Sequence, residues 1–361
     1  MTGIAERIEA LEGQAAIMVA ELAAITADLL AATGMPAKAA AAAADILAEC
    51  QHRGIDSHGV AHLPVYVRRL LAGGIDAGAV PAVVASGPAV TVLDGRNALG
   101  VLVGLAATDE ACRRAREYGV GACAVRNSNH FGAAAPLVDR AARQGLVMLA
   151  CSNAAPTMAP WGGREAMLGT NPLSAAFPRA GAEPVVIDMA TSAASRSKLR
   201  QAALKKQPIP LDWALDKTGV PTSDGEAALA GTMQPLGGAK GYALTLMVEL
   251  LSTTLSAGKS GFEVANPYDS PATPAGTSHF FVAFDPRFFS GLEVAEETVA
   301  RLGERIERSE PAAAGDPPRL PGTRAAATAV CRGRDGIPLT PDLTNHLRQA
   351  ARLLGKAPRN N

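Results

Sequence analysis

"AVTVLDGRNALGVLVGLAATDEACRRAREYGVGACAV", residues 89–125, decides the fold. A β-branched run stops at an Asp-Gly turn, a helix-period segment stops at Gly119, and a second short apolar run follows. Strand, helix and strand in that order make one β-α-β unit. Downstream the alternation continues. "AAPLVDRAARQG" reads as a helix, "LVMLACS" as a buried strand, and "EPVVIDMA" as another strand that leads into a helix through "SRSKLRQAALKK". "GYALTLMVELLSTTLSAG" is a long apolar helix and "SHFFVAFDP" a late strand. The pattern predicts an α/β unit over about residues 76–285.

Both flanks read as helical. One helix is expected from Gln14 to Thr33, stopped by Gly34, and a second from Pro36 through "AKAAAAAADILAEC". "PVYVRRLLA" adds a short third. Near the other end stand "EETVARLGERIERS", a Pro/Gly-rich stretch, and "DLTNHLRQAARLLG". Residues 1–75 are therefore expected to pack with 286–361 as one helical domain.

Lysine plus arginine balances aspartate plus glutamate at 34 each, and aromatics make up 4% of the chain. This balance removes the electrostatic reason to expect nucleic acid or an anionic membrane as a partner. The five cysteines are scattered without a C-x-x-C pair, which suits free thiols in a reducing compartment. "MTGIAERIEALEGQ" lacks a basic start with an apolar core, and "AAIMVAELAAITADLLAA" carries Glu21 and Asp28, so a cytoplasmic protein is expected. No strand leads into G-x-G-x-x-G, so a standard dinucleotide loop is absent. "SAGKS" at 256–260 resembles a P-loop ending, but Thr253 holds the first-glycine position and a long helix precedes it.

Chemistry concentrates in five segments. In "RGIDSHGVAHLPVY", 53–66, His58 and His62 stand four apart, with His52 upstream and Ser57 and Asp56 adjoining. Two imidazoles at that spacing can share a metal, and His52, His58 and His62 together would suit a metal-dependent hydrolase. Gly59 and Pro64 interrupt a regular helix, however, and the glutamate of a metalloprotease is missing, so a metal is not expected. A helix-entry loop capped by Ser57 is the plainer alternative. In "VRNSNHFGAAAPL", 125–137, a strand ends and a helix is expected near Gly132, where free amides could receive a phosphate or carboxylate beside His130. "CSNAAPTMAPWGGREAMLGTNPLSAAFP", 151–178, is long and irregular enough to be a functional wall. "IDMATSAASRSK" places Asp188 at a strand end and Lys198 on the following helix. "GGAKGYAL" holds Lys240 at the positive end of a helix, which favours a bound anion.

These segments, in order over about residues 15–355, resemble the malate/L-lactate dehydrogenase family that is not Rossmann-folded. Its members include sulfolactate and ureidoglycolate dehydrogenases, diketogulonate reductase and the cyclic-imine reductase acting on piperideine-2-carboxylate. The resemblance is carried by "RGIDSHGV", "NSNHFGAA", "APWGG", "GTNPLS", "DMATS", "IPLDWALDKTGVPT", "PLGGAKGYAL" and "LPG". It implies a homodimer, an unusual NAD(P)-binding sheet domain, a helical domain built from both chain ends, and a small-molecule substrate. It also implies hydride transfer between the nicotinamide and C2 of a 2-oxo or 2-imino acid, with either NAD or NADP.

By the same resemblance, Ser57 and His58 fall on the family's Ser-His pair, where His58 gives a proton to the reduced centre. His130 competes for that role, and His130, Phe131, Gly132, Ala133 and Ala134 match a cofactor segment. Asp188, Met189 and Ala190 match another, as do Lys240, Pro321 and Gly322, while Thr170 matches a substrate contact. His62 stands where relatives usually carry a carboxylate-clamping arginine, a loss worth about 2–5 kcal/mol unless the substrate differs or Arg68 or Arg196 takes over. Lys198 stands where imine reductases carry an aspartate, which tilts the expectation toward 2-hydroxy acids. A ligand-binding relative without turnover is a further alternative.

Overall fold

The computed structural model describes residues 2–312 and 315–356. Strand Val90–Asp94, helix Gly100–Tyr118 and strand Val120–Ser128 form the expected β-α-β unit. The two strands run parallel, with Val90 opposite Ala122 and Asp94 opposite Arg126. Gly119 ends the helix at φ 82, a conformation that costs a residue without a Cβ nothing.

Around that unit the sheet is mixed. Its seven strands lie in the order Ala82–Ser86, Val90–Asp94, Val120–Ser128, Thr277–Phe284, Val147–Ser152, Leu173–Phe177 and Val185–Met189. Only the second and third strands are parallel; every other neighbouring pair is antiparallel. The late strand Thr277–Phe284 thus enters the middle of the sheet and joins its two halves. Helices Gly100–Tyr118 and Ala135–Ala142 cover one face, where Ala107, Ala111, Leu137, Met148, Ala150 and Phe281 share a core. Helix Ala239–Thr254 lies against the other face, with Ser252 beside Cys151.

The helical part draws on both chain ends. Leu22, Ile25, Leu47, Leu63, Tyr66 and Val67 share one core with Leu343 and Leu347. Ala16 and Ile17 pair with Pro338 and Ile337 in a two-strand ribbon. The first long helix is shorter than its pattern suggests, Val19–Ala31, because this ribbon takes the residues before it. The next is Ala37–His52, with Pro36 just outside its start. Helix Leu292–Glu307 sits apart from these, Leu292 against Gly145 and Glu307 ion-paired with Arg179.

A buried ion pair ties the helical part to the sheet. Arg53 donates to Asp139 at 2.7 Å, and Arg143 donates to the same carboxylate at 2.6 Å. Removing one partner would strand a charge away from water, so this link holds the two layers in register.

Candidate functional site

Residues 56–62 are wound as two single 3-10 turns, Asp56–His58 and Val60–His62, hinged at Gly59. Gly59 packs closely on Gln51: a Cβ there would lie 2.5 Å from Gln51 Oε1 and push that buried side chain aside. Helix Leu63–Leu71 follows, with Pro64 in its first turn. His58, His62 and Tyr66 consequently lie side by side, with centroid separations of 5.3 Å between the first two and 5.9 Å between the last two.

His130 arrives from the opposite side. Its ring stacks on His62 at 4.7 Å and 8°, and lies 5.8 Å from His58. The strand before it carries an irregularity between the pairs Thr277↔Ser128 and His279↔Val125, and Asn127 there adopts φ 53. The bulge redirects the chain end toward the imidazoles. Asn129 then anchors it: its amide donates to Asn97 and to the Ala98 carbonyl at 2.9 Å, while Arg69 donates to its Oδ1 at 3.1 Å. The asparagines of this turn are therefore structural, and His130 is the residue left facing the cluster.

All three imidazoles are held neutral. Burial lowers His58; burial followed by His58 takes His62 down to about 3; burial followed by His62 and His58 takes His130 well below the usual range. Ser57 Oγ lies 2.8 Å from His58 Nδ1, which leaves Nε2 for a ligand. Ser57 is not a helix cap, as no side-chain cap bond exists at this start. His130 Nδ1 receives the Gly132 N–H at 3.3 Å and faces the Tyr66 hydroxyl at 2.8 Å. A backbone N–H can only donate, so the proton of neutral His130 sits on Nε2.

Phe131, Ala133 and Ala134 are buried, and Gly132 takes φ 80. That left-handed residue delays the helix, which starts at Ala135 instead of near Gly132. The Ala135 N–H is already taken, by Asp188 Oδ2 at 2.9 Å. The anion expected at this helix start is the chain's own carboxylate. Asp188 is open to solvent on one side, yet burial pushes its carboxyl up to about 6 against the opposing pull of the Ala135 and Ala134 amides.

Asp188, Met189 and Ala190 lie exposed at the end of the edge strand Val185–Met189. Gly322, at φ 88, presses on the same strand, where a Cβ would come within 3.1 Å of the Val186 backbone. Pro321 is exposed beside it. Thr170 is tied in by the Thr191 N–H, which donates to its carbonyl at 2.9 Å. The two lysines stand apart. Lys198 lies in the first turn of helix Arg196–Lys205, capped by Ser195, with its ammonium 5.8 Å over the Trp213 ring. Lys240 is exposed in the first turn of helix Ala239–Thr254, next to Gly238, where a Cβ would come within 3.2 Å of the Trp161 ring. Among the described residues neither lysine has an ion pair or a side-chain bond to the histidines.

Two site residues escaped the sequence reading. Tyr66 was absorbed into a helix, although its position four after His62 continues the His58–His62 spacing. Tyr268 comes from a distant loop and places its hydroxyl 3.4 Å from His62 Nε2; no local pattern marks it. His52 turns away, toward Glu49 at 3.2 Å, so it does not join His58 and His62 as a hydrolase ligand set would need. Among the described residues, no group of three or more His, Cys, Asp or Glu is placed to hold a metal ion.

Residues 17–348 match the family model described as malate/L-lactate dehydrogenase. The chain is 38% identical over 322 residues to the (2R)-3-sulfolactate dehydrogenase (NADP(+)) of Chromohalobacter salexigens, covering 89% of this chain and 94% of that protein. It is 38% identical over 299 residues to a Delta(1)-pyrroline-2-carboxylate reductase of Pseudomonas fluorescens, covering 79% and 88%. Sulfolactate dehydrogenase from Methanocaldococcus jannaschii superposes with a TM-score of 0.87 at 34% identity, over 94% of this chain and 97% of that one.

Proposed function

The chain belongs to the malate/L-lactate dehydrogenase family, and from that membership we propose that it is an NAD(P)-dependent oxidoreductase interconverting a 2-oxo acid and its 2-hydroxy acid. The observation that carries this reading is the placement of His58 beside His130, each with its Nδ1 engaged by the protein and its Nε2 free for substrate. Residues present fit a nicotinamide dinucleotide. Gly132 leaves open space, a Cβ there meeting nothing nearer than His58 O and Val101 Cγ2 at 3.8 Å. Lys240, exposed at the positive end of its helix, suits a phosphate, and Asp188–Ala190, Pro321 and Gly322 line one continuous strand edge. When bound, the reduced nicotinamide supplies the hydride.

In the reductive direction the resting, neutral His58 first takes up a proton from solvent. As the imidazolium it delivers that proton to the developing alkoxide, returning to the neutral ring that burial favours; Ser57 fixes that ring. His130 offers Nε2–H as a second donor that polarises the carbonyl, a role open to a neutral imidazole. Thr170 completes the substrate contacts. His62, uncharged, cannot act as a permanent carboxylate clamp. Positive charge reaches this side from Arg200 and Arg196, which pull the Tyr268 phenol down against the larger raising effect of burial.

A second reading, reduction of a cyclic imine, gains from the position of Lys198. Its ammonium lies over Trp213 and is bonded to neither Ser57 nor His58, which weakens the case that a cation there excludes a protonated imine. Titration with NADH and NADPH, followed by addition of 2-oxo acids and cyclic imines, separates the two. Turnover confined to one substrate class assigns it; failure to bind either nucleotide would refute both.

The assembly and location are part of the same proposal. Helix Thr323–Asp335 buries none of its residues in the single chain, which supports a homodimer. No described helix is long and apolar enough to cross a membrane, and all five cysteines are free, which supports a cytoplasmic setting. The division into a helical domain of residues 1–75 with 286–361 and a nucleotide domain of 76–285 belongs to the same proposal, except that helix Leu292–Glu307 packs on the nucleotide domain at Gly145 and Arg179.

A further inference from the structure

His279 lies on the central strand Thr277–Phe284 and is wholly buried. The strand residues that follow it, Phe280 to Phe284, are apolar, and a histidine in such a setting usually fills space. This one is gripped at both nitrogens. Nε2 lies 2.8 Å from Ser128 Oγ and Nδ1 lies 2.7 Å from Ser152 Oγ. Those serines are the last residues of the two strands that flank the central one. The imidazole face is stacked on Phe131 at 4.7 Å and 29°.

Ser128 stands two residues before His130, and Phe131 stands one after it. The imidazole thus holds the chain on either side of His130, at the point where the Asn127 bulge releases the strand. An aliphatic side chain would fill the same volume without gripping either serine. Burial takes the His279 imidazole down to about 3, so it keeps one charge state across the working pH range and serves as a fixed hydrogen-bonding brace.

We propose that His279 is a positioning residue that sets the place and orientation of His130 through Ser128 and Phe131. The inference rests on the oxidoreductase reading only for its kinetic arm. A reacting group displaced by about 1 Å can lose about 100-fold in rate, and the effect is expected in kcat rather than in cofactor affinity.

The test uses the full chain and three variants: His279→Leu, Ser128→Ala and the pair combined. Imidazole 15N NMR of histidine-labelled protein without cofactor reports His130 directly. The expected result is a displaced His130 signal in every variant, with the His58 signal less affected. At saturating NADPH and 2-oxo acid, His279→Leu should lower kcat about 10- to 100-fold with NADPH affinity within about 3-fold. The double variant should be no slower than His279→Leu, because both changes cut one route. Should His279→Leu fail to fold, Ser128→Ala carries the test alone. Unmoved His130 resonances, or kcat losses that multiply in the double variant, overturn the proposal. Wild-type protein inactive on every substrate, with the His130 signal still displaced in the variants, sinks the functional reading and leaves the brace standing.

Discussion

The Tyr66 hydroxyl lies 2.8 Å from His130 Nδ1, joining the helix that follows the 3-10 turns to the strand end that bears the second imidazole. Together with the Gly132 amide, this contact decides which nitrogen of His130 points at substrate. Tyr66→Phe keeps the buried ring and deletes the bond. Turnover is expected to fall about 5- to 10-fold, the equivalent of about 1–1.5 kcal/mol, with little change in cofactor affinity. Steady-state kinetics beside a nucleotide titration checks this, and unchanged kcat would show that Gly132 suffices.

His58→Ala removes the proposed proton donor. Proton transfer from a positioned side chain contributes about 100- to 10,000-fold, so turnover should drop by at least about 100-fold while NAD(P)H binds within a few-fold of wild type. A variant retaining most of its activity would move the acid/base role to His130.

By the family resemblance His62 stands where a carboxylate-clamping arginine is expected, and burial keeps its imidazole neutral. His62→Arg should lower KM for a 2-oxo acid by about 10-fold, worth about 1.4 kcal/mol, since a guanidinium can stack on His130 as the imidazole does. If KM rises instead, the native substrate presents something other than a free carboxylate to this position.

Burial of the Asp188 carboxyl pushes it from its ordinary 3.8 up to about 6 in the folded protein, against the pull of the Ala135 and Ala134 amides. The native state therefore holds this proton more tightly than the unfolded chain. Stability falls as pH rises through that interval and levels off above it. Asp188→Asn keeps an oxygen for the Ala135 amide and cannot ionise. Its melting temperature should exceed that of wild type above pH 6 and converge with it below the ordinary carboxylate value. Parallel melting curves at all pH values would show that Asp188 does not titrate in this range.

Arg53→Leu cuts the link between the helical part and Asp139. The carboxylate keeps Arg143, so the loss should be near the low end for a broken buried pair, about 3 kcal/mol. Urea denaturation measures it; a loss under about 1 kcal/mol would mean that Arg143 alone satisfies the charge.

Legibility in the sequence followed the range of the interactions. The β-α-β unit was readable because Asp94-Gly95 and Gly119 punctuate it locally. The His58–His62 pair and the turn at His130 were readable for the same reason, and the family resemblance linked them. The position of Thr277–Phe284 was not, because strand pairing across more than a hundred residues leaves no periodic trace. Tyr66 could have been found by extending the spacing of four; Tyr268 could not. His279 stood out in no way from the strand around it, because a buried histidine that fills space and one that is hydrogen-bonded at both nitrogens leave the same sequence. The Asp188 carboxylate at the Ala135 amide was hidden too, since its partner is 53 residues away.

The strand at the centre of the sheet is also among the last parts of it to leave the ribosome. Until about residue 285 has emerged, the strands already made can pair only as two half-sheets, each with an unpaired edge, at Val120–Ser128 and at Val147–Ser152. Open edges of this kind invite pairing with other chains. Closing the sheet is thus a late step of synthesis, and a chain halted before Thr277 should aggregate where the full-length protein does not.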